Sequence, residues 1–131
     1  MPNIATVVLD STSGYAQKID AGGHALTADE AVSHGGTNTG PAPYELLLSA
    51  LGACTSITLR MYADRKGWDL GNVHVVLRHD KSAEGSDQID RELTFGAPLT
   101  AEQRTKLAEI AEKTPVTKTI KAGAVIRTRL P

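Results

Sequence analysis

Cys54 is the residue of this sequence best suited to nucleophilic or redox chemistry, and it is the only cysteine among the 131 residues. A single cysteine excludes an intrachain disulfide, so its oxidation can yield only a sulfenic acid, a mixed disulfide or a bridge between two chains. Free cysteine is also among the most buried residue types and commonly acts as a small apolar side chain. The residue type therefore leaves a reactive and a structural role open.

Four histidines and one glycine-rich loop are the other places where this sequence could carry chemistry. The histidines lack the spacing of a metal motif such as CxxC or HExxH. The loop, residues 34–40, lacks the lysine and the serine or threonine that end a phosphate-binding loop. We therefore expect no metal site and no bound cofactor. The four histidines are His24, His34, His74 and His79.

A long helix is predicted to carry Cys54. Proline is tolerated in a first helical turn, so the helix is expected to start near Pro43, and Gly67 supplies its end after Lys66. Apolar or small residues cover almost every face from Leu46 to Cys54, and the next charge after Glu45 is that of Arg60. An apolar surface on all sides predicts a central helix. Cys54 lies about ten residues inside it, beyond the reach of the helix's own N-terminal dipole.

The remaining pattern predicts short strands and two further helices around this one. Strands are expected at residues 4–9, 15–19, 24–28, 73–78, 89–95 and 124–130, and helices from the N-cap Thr100 to about Lys113 and from the N-cap Thr114 with Pro115 onward. The order βββ-α-ββ-αα-β segregates strands from helices, which predicts an α+β fold with largely antiparallel sheets. With no linker visible, residues 1–131 are predicted to form a single domain.

Composition excludes several classes of partner. The formal net charge is -1 with both signs interspersed, and aromatic residues are only 4% of the chain, so neither a phosphate-binding surface nor a base-stacking platform is predicted. The first ten residues lack the pattern of a signal peptide, and we expect no stretch of the 18 or so apolar residues that cross a membrane. We therefore expect a cytoplasmic protein without nucleic-acid or membrane partners.

Two motifs resemble the signatures of the OsmC/Ohr family. Residues 40–55, GPAPYELLLSALGACT, resemble its central-helix signature, which ends in the reactive cysteine. Residues 112–119, EKTPVTKT, resemble its second motif, in which a cysteine normally precedes Pro-Val. The runs RMYADRKGW at residues 60–68 and IRTRL at residues 126–130 are similar to one subgroup of the family. The order and spacing of these motifs agree over most of the chain.

The resemblance implies both an architecture and a chemistry. It implies an intertwined homodimer in which antiparallel sheets wrap around central long helices and the active sites lie at the subunit interface. It also implies oxidative-stress defence, in which the first cysteine attacks a peroxide, becomes a sulfenic acid and condenses with the second cysteine. Cys54 matches the attacking position, the peroxidatic nucleophile.

Three departures from the family pattern bear on this chemistry. Thr114 stands where the second cysteine is expected, and a hydroxyl cannot form a disulfide. Glu45 falls one residue after the family's acidic position, which turns its carboxylate by ~100° toward the face opposite Cys54. The N-terminal arginine that accompanies the thiolate is missing. Two substitutes are open, namely Arg127 or Arg129 of the last strand, or the helix start at Thr114, which is the preferred one because helix N-termini favour thiolates.

Three functions therefore remain in view. The first is a one-cysteine peroxidase that reduces organic hydroperoxides or hydrogen peroxide through Cys54, with a small-molecule or protein thiol as reductant. The second is a catalytically degenerate homodimer that binds a small apolar ligand at its interface pocket. The third is a purely structural dimer with an inert buried thiol.

Overall fold

The computed structural model describes all 131 residues and has the predicted α+β architecture, with two antiparallel sheets and three helices. The chain forms two compact units, Met1–Leu47 and Leu48–Pro131. The predicted single domain of residues 1–131 stays a prediction. The element order agrees with the predicted βββ-α-ββ-αα, and only the last strand is missing.

The first unit contains a three-stranded antiparallel sheet in the order β1-β2-β3. Its strands are β1 (Val7–Asp10), β2 (Gln17–Ala21) and β3 (His24–Ala28), close to the predicted positions. Two glycines, Gly22 and Gly23, join β2 to β3 with φ angles of 60° and 82°. Positive φ at both positions is what a tight two-residue hairpin turn requires, and glycine adopts it without strain.

The segment after β3 is folded around one carboxylate, that of Asp29. Asp29 is buried and accepts hydrogen bonds from the amide and hydroxyl groups of Thr37 and Thr39, and from the amide of Glu30. The hydroxyls of Thr37 and Thr39 contribute most to holding the pKa of this carboxyl well below its usual 3.8. At Gly36 a Cβ would overlap the carbonyl oxygen of Glu30, so the loop closes too tightly for a side chain. The predicted plain loop is therefore an ordered turn with a buried anion at its centre.

Helix α1 (Pro43–Lys66) has the predicted bounds and two unlike sides. Its buried side consists of Leu51, Gly52, Thr55, Leu59 and Ala63. On the other side a row of apolar residues with a spacing of four, three and four positions is exposed or half-buried: Ala50, Cys54, Ile57 and Met61. We call this row the α1 stripe.

The length and composition of α1 also meet the criteria for a membrane span. Its most apolar 18-residue window has a mean hydropathy of 1.3, and 28% of that window is buried in the chain. The expectation that no segment reaches these limits was therefore wrong. The core helix of a soluble protein passes the same test.

The second unit places a hairpin and two helices beside the C-terminal part of α1. Strands β4 (Val73–Lys81) and β5 (Asp87–Phe95) pair antiparallel with Leu77 opposite Arg91. Helix α2 (Ala101–Ala111) begins with the predicted capping box of Thr100 and Gln103. Helix α3 (Pro115–Ala122) begins as predicted, with Thr114 as N-cap and proline in its first turn.

The core of this unit joins α1, α2 and the inner side of the hairpin. Its fully enclosed members are Leu59, Ala63, Leu70, Leu107 and Ala111. The odd-numbered residues of both strands are the less exposed ones, which shows that they form the inner side. At Gly52 an added Cβ would lie 2.9 Å from Cδ1 of Leu77, so a glycine permits the close approach of α1 to β4 at this point.

The predicted last strand, residues 124–130, is not formed. This segment has no regular structure, and its apolar side chains Val125, Ile126 and Leu130 are exposed. A strand is stable only when a neighbouring strand takes up its backbone hydrogen bonds, and no strand of this chain pairs with the segment. Its alternating sequence favours a strand, but the single chain does not supply the partner.

Candidate functional site

Cys54 lies in the middle of α1 as a free, half-buried thiol. It belongs to the α1 stripe and directly precedes Thr55, which points to the buried side of the helix. The thiol is therefore at the boundary between the core of the second unit and an apolar surface that the single chain leaves uncovered. Such a position leaves the thiol accessible to a small reagent.

Thr55 connects the turn of α1 that carries Cys54 to a polar network. Its side chain is completely buried, and its hydroxyl donates a hydrogen bond of 2.7 Å to the carbonyl oxygen of Leu51. The hydroxyl oxygen of Thr55 in turn accepts a hydrogen bond of 2.9 Å from Nη1 of Arg91. Burying this hydroxyl without hydrogen-bond partners would cost free energy, so the buried Thr55 depends on the hydrogen bond from Arg91.

Arg91 is the centre of this network. Its side chain is 11% exposed and projects from the inner side of β5. Nη1 donates to the hydroxyls of Thr55 and Thr117, and Nη2 donates to the carbonyl oxygen of Ala111 and to Oε2 of Glu112, each over 2.9 Å. One planar guanidinium thus links the cysteine-bearing helix to the corner between α2 and α3.

Arg91 is the site residue that the sequence reasoning missed. The signal was present, because Arg91 lies between Ile89 and Leu93 on the side of β5 that period-two alternation assigns to the core. A charged residue at an inward position of a strand is rare unless it is paired. The missed inference was that such an arginine needs buried acceptors nearby.

Thr114 is completely buried and serves as the N-cap of α3. Its hydroxyl oxygen lies 2.6 Å from that of Thr117 and accepts the Thr117 amide over 3.4 Å. This hydroxyl thus has partners within its own corner, and the preferred substitute for the missing arginine, the helix start at Thr114, stays a prediction. The alternative residues, Arg127 and Arg129, lie in the exposed C-terminal segment.

Glu112 closes the outer side of the same corner. Its carboxylate accepts hydrogen bonds from Nη2 of Arg91 and, over 3.0 Å, from Nζ of Lys121. The hydrogen bond and charge of Lys121, with a smaller contribution from Arg91, hold the pKa of Glu112 below its usual 4.5. Two cations share one carboxylate here, so the corner carries a net positive charge next to the turn that bears Cys54.

Glu45 occupies the first turn of α1. Its carboxylate accepts a 2.8 Å hydrogen bond from the backbone amide of Ala42, and the residue is exposed. This contact satisfies one of the amide groups that a helix start leaves free. Helix capping is thus the role that the structure shows for Glu45, which lies one residue after the family's acidic position.

The histidines and acidic residues form no candidate metal centre. No group of three or more histidine, cysteine, aspartate or glutamate side chains converges anywhere in the chain. His79 instead lies 2.9 Å from Asp87 across the β4–β5 hairpin, and Lys81 contacts the same carboxylate over 3.2 Å. These contacts, that of His79 first, lower the pKa of Asp87.

A surface cleft of about 690 Å³ lies between the C-terminal end of α1 and α2. Its floor includes the edge-to-face ring pair of Tyr62 and Trp68, whose centroids are 5.5 Å apart. Polar and charged residues of α2 form the opposite wall. Cys54 does not line this cleft, so it is distinct from the ligand pocket that was predicted around the thiol.

A comparison with protein-family models matches residues 36–129 of this chain to the family described as OsmC-like protein. The match includes the α1 turn of Cys54, Arg91 and the Thr114 corner. A comparison with curated proteins finds none that matches.

Solved structures with the same fold cover almost the whole chain. An OsmC-like protein from Mycoplasma pneumoniae is 20% identical, with a TM-score of 0.73 over 92% of this chain and 88% of that one. An organic hydroperoxide resistance protein from Legionella pneumophila is 17% identical, with a TM-score of 0.65 over 92% of both chains. The organic hydroperoxide resistance protein OhrB of Bacillus subtilis is 21% identical, with a TM-score of 0.61 over 91% of both. At these identities the likeness establishes the fold.

Proposed function

This chain belongs to the OsmC-like protein family, and we propose that it reduces organic hydroperoxides or hydrogen peroxide through the single thiol of Cys54. A general role in the response to peroxide stress follows from the family and from structural neighbours that are named hydroperoxide resistance proteins. The one-cysteine mechanism is the specific part of the proposal.

The observation that carries this proposal is the environment of Cys54. The thiol is free and half-buried in the middle of α1, and the adjacent Thr55 is held by a guanidinium. Because Thr114 fills the position of the second cysteine with a buried hydroxyl, no intrachain disulfide can follow. A free, half-buried thiol one residue from a side chain that a guanidinium holds in place is suited to attack on an electrophilic oxygen.

The reaction balances with two equivalents of an external thiol as co-reactant. The sulfur of Cys54 attacks the distal oxygen of the hydroperoxide, the O–O bond breaks, and the products are a sulfenic acid and an alcohol. A reductant thiol then condenses with the sulfenic acid, releasing water and leaving a mixed disulfide. A second thiol attacks that disulfide, restores Cys54 and leaves as a disulfide of the reductant. The reductant is either a small-molecule thiol or a protein thiol.

The working form of the protein is a homodimer in this proposal. The α1 stripe exposes Ile57 by 56% and Met61 by 55%, at spacings that suit packing between helices. The unpaired, alternating segment at residues 124–130 supports the same conclusion, since a second chain can provide the missing strand partner. Packing of a second copy against α1 would bring the subunit interface to the thiol and cover the apolar surface. We propose that this dimer is a soluble protein of the cytoplasm.

Turnover with an external thiol tests the proposal. Reduced protein is supplied with cumene hydroperoxide or hydrogen peroxide and an excess of a small thiol, and peroxide consumption is followed with and without the Cys54→Ser substitution. We expect catalytic consumption only with Cys54 present, together with a trapped mixed disulfide at Cys54 when the thiol is limiting. Equal consumption by both proteins would refute the proposal.

Binding of a small apolar molecule at the dimer interface is the second candidate. It is favoured by one specific observation, namely that Thr114 is completely buried in a hydrogen-bond network and cannot take the second cysteine's part in the chemistry. A polarity-sensitive apolar fluorophore tests it. Stoichiometric binding by the wild type and by Cys54→Ser, with no peroxide reaction in either, would select this function over the first.

A further inference from the structure

We propose that Arg91 is the positioning residue of the Cys54 site, fixing the reactive turn of α1 against the corner between α2 and α3. This inference rests on the proposed function, because positioning is judged by the reactivity of Cys54. In this inference a residue of β5 keeps the site in a fixed geometry.

Four hydrogen bonds from one guanidinium carry the inference. They reach three separate elements, since Thr55 belongs to α1, Ala111 and Glu112 to the end of α2, and Thr117 to α3. Each donor–acceptor distance is 2.9 Å, which is the usual distance for a good N–H···O hydrogen bond. The acceptors surround both terminal nitrogens of a planar fork, a pattern that a lysine ammonium does not reproduce.

The burial of this network shows that it is fixed in one arrangement. Thr55 is completely buried, Thr117 nearly so, and the Arg91 side chain is 11% exposed. A buried guanidinium and buried hydroxyls are costly unless they are hydrogen-bonded, so these groups hold one another in a single arrangement. The hydrogen bond from Thr55 to Leu51 extends this order along the turn that ends next to Cys54.

The consequence for chemistry follows from the position of Cys54 within that turn. A thiol that must meet a peroxide oxygen in line with the O–O bond gains rate from a fixed side-chain direction, and a displacement of ~1 Å can cost about 100-fold in rate. Glu112 is shared with Lys121 and largely exposed, so it neutralises Arg91 only in part. Arg91 therefore contributes both a fixed geometry and a positive charge near the turn.

The test compares three variants of the full-length protein by the rate at which Cys54 reacts with cumene hydroperoxide. Arg91→Met removes the fork and the charge, Arg91→Lys keeps the charge alone, and Arg104→Met changes an exposed arginine of α2 as matched control. We expect Arg91→Met and Arg91→Lys to lose about tenfold or more, and Arg104→Met to react as the wild type does. Thermal unfolding of each variant establishes that it is folded.

Chemical rescue separates positioning from a merely structural role. Arg91→Ala is assayed with millimolar guanidinium and, as control, with millimolar ammonium. We expect guanidinium to restore a measurable part of the lost rate and ammonium to restore none. Only the planar ion can take the place of the missing Arg91 side-chain group between Thr55 and Thr117. If the Arg91 variants do not fold, Thr117→Val is tested in their place. This substitution keeps the side-chain volume and removes one acceptor of Arg91, and we expect the reaction rate of Cys54 to fall a few-fold.

The outcomes distinguish this inference from the proposed function. A folded Arg91→Met protein that reacts with peroxide at the wild-type rate overturns the positioning role while the peroxidase proposal stands. If wild-type Cys54 does not react with peroxide at all, the proposed function fails, and Arg91 is judged by the rate at which iodoacetamide alkylates Cys54. A changed alkylation rate in Arg91→Met, absent in Arg104→Met, then supports positioning, and an unchanged rate overturns it.

Discussion

Single residues determine which chemistry this site can perform. The position that the family pattern gives to a second thiol holds the hydroxyl of Thr114, which is completely buried beside that of Thr117. This exchange removes a redox group and adds a helix cap and part of a hydrogen-bond network. The corner between α2 and α3 therefore holds a structural hydroxyl where the family pattern has a redox group, and in the proposed reaction the electrons for turnover must come from another molecule.

Replacing Thr114 with valine should lower the free energy of unfolding by about 1–2 kcal/mol, because the cap of α3 loses its side-chain acceptor and the Thr117 hydroxyl loses a partner. Thr114→Ser keeps the hydroxyl and serves as control, with a smaller loss. Urea denaturation of the three proteins measures the difference. Equal stability of the valine variant and the wild type would contradict the capping role.

The secondary-structure elements that hold the site were predictable from the sequence only where their contacts are local. The bounds of α1 and the caps of α2 and α3 were predictable because proline, threonine and glutamine have local roles at helix starts. The Arg91 network was not predicted, since its partners lie 20 to 36 positions away in the sequence. The order of the loop around Asp29 was missed for a similar reason, because its donors, Thr37 and Thr39, are eight and ten positions away.

Asp29→Asn should destabilise the loop that precedes α1, and the effect should depend on pH. The carboxylate is favoured in the folded state, where its pKa lies well below the usual 3.8. The stabilisation it provides is therefore complete above pH 3.8 and decreases as the pH falls toward the folded value.

Thermal unfolding of the wild type and Asp29→Asn between pH 7 and pH 3 measures this dependence. We expect a constant difference in midpoint near neutral pH that becomes smaller toward pH 3. Asp20→Asn, at an exposed turn of the same sheet, is the control for loss of one negative charge. A difference between Asp29→Asn and the wild type that grows on acidification would contradict the assigned role of Asp29.

The whole molecule has apolar surface that its own chain does not cover. The sequence predicted a helix that is apolar on all sides, and in the single chain the α1 stripe remains exposed. The last predicted strand, residues 124–130, likewise finds no strand of this chain to pair with. Sequence periodicity indicates that a residue must be buried or paired, but it does not say by which chain.

Ile57→Glu should shift the proposed homodimer toward monomers, because a carboxylate in an apolar helix contact is costly unless it is paired. We expect the dissociation constant to rise about tenfold or more, and the mass in solution to fall from twice 13.9 kDa toward 13.9 kDa. Light scattering during size-exclusion chromatography measures this. Val76→Glu makes the same change at an exposed position of β4 and should remain dimeric. A wild type that is monomeric at high concentration would contradict the dimer.

The most direct test of the account is a single turnover of Cys54. Reduced wild-type protein and Cys54→Ser are each mixed with one equivalent of cumene hydroperoxide in the absence of any other thiol, and the protein mass and the peroxide remaining are followed over time. The account predicts rapid loss of peroxide with a gain of one oxygen atom at Cys54 in the wild type alone. A wild-type reaction no faster than that of free cysteine would contradict it.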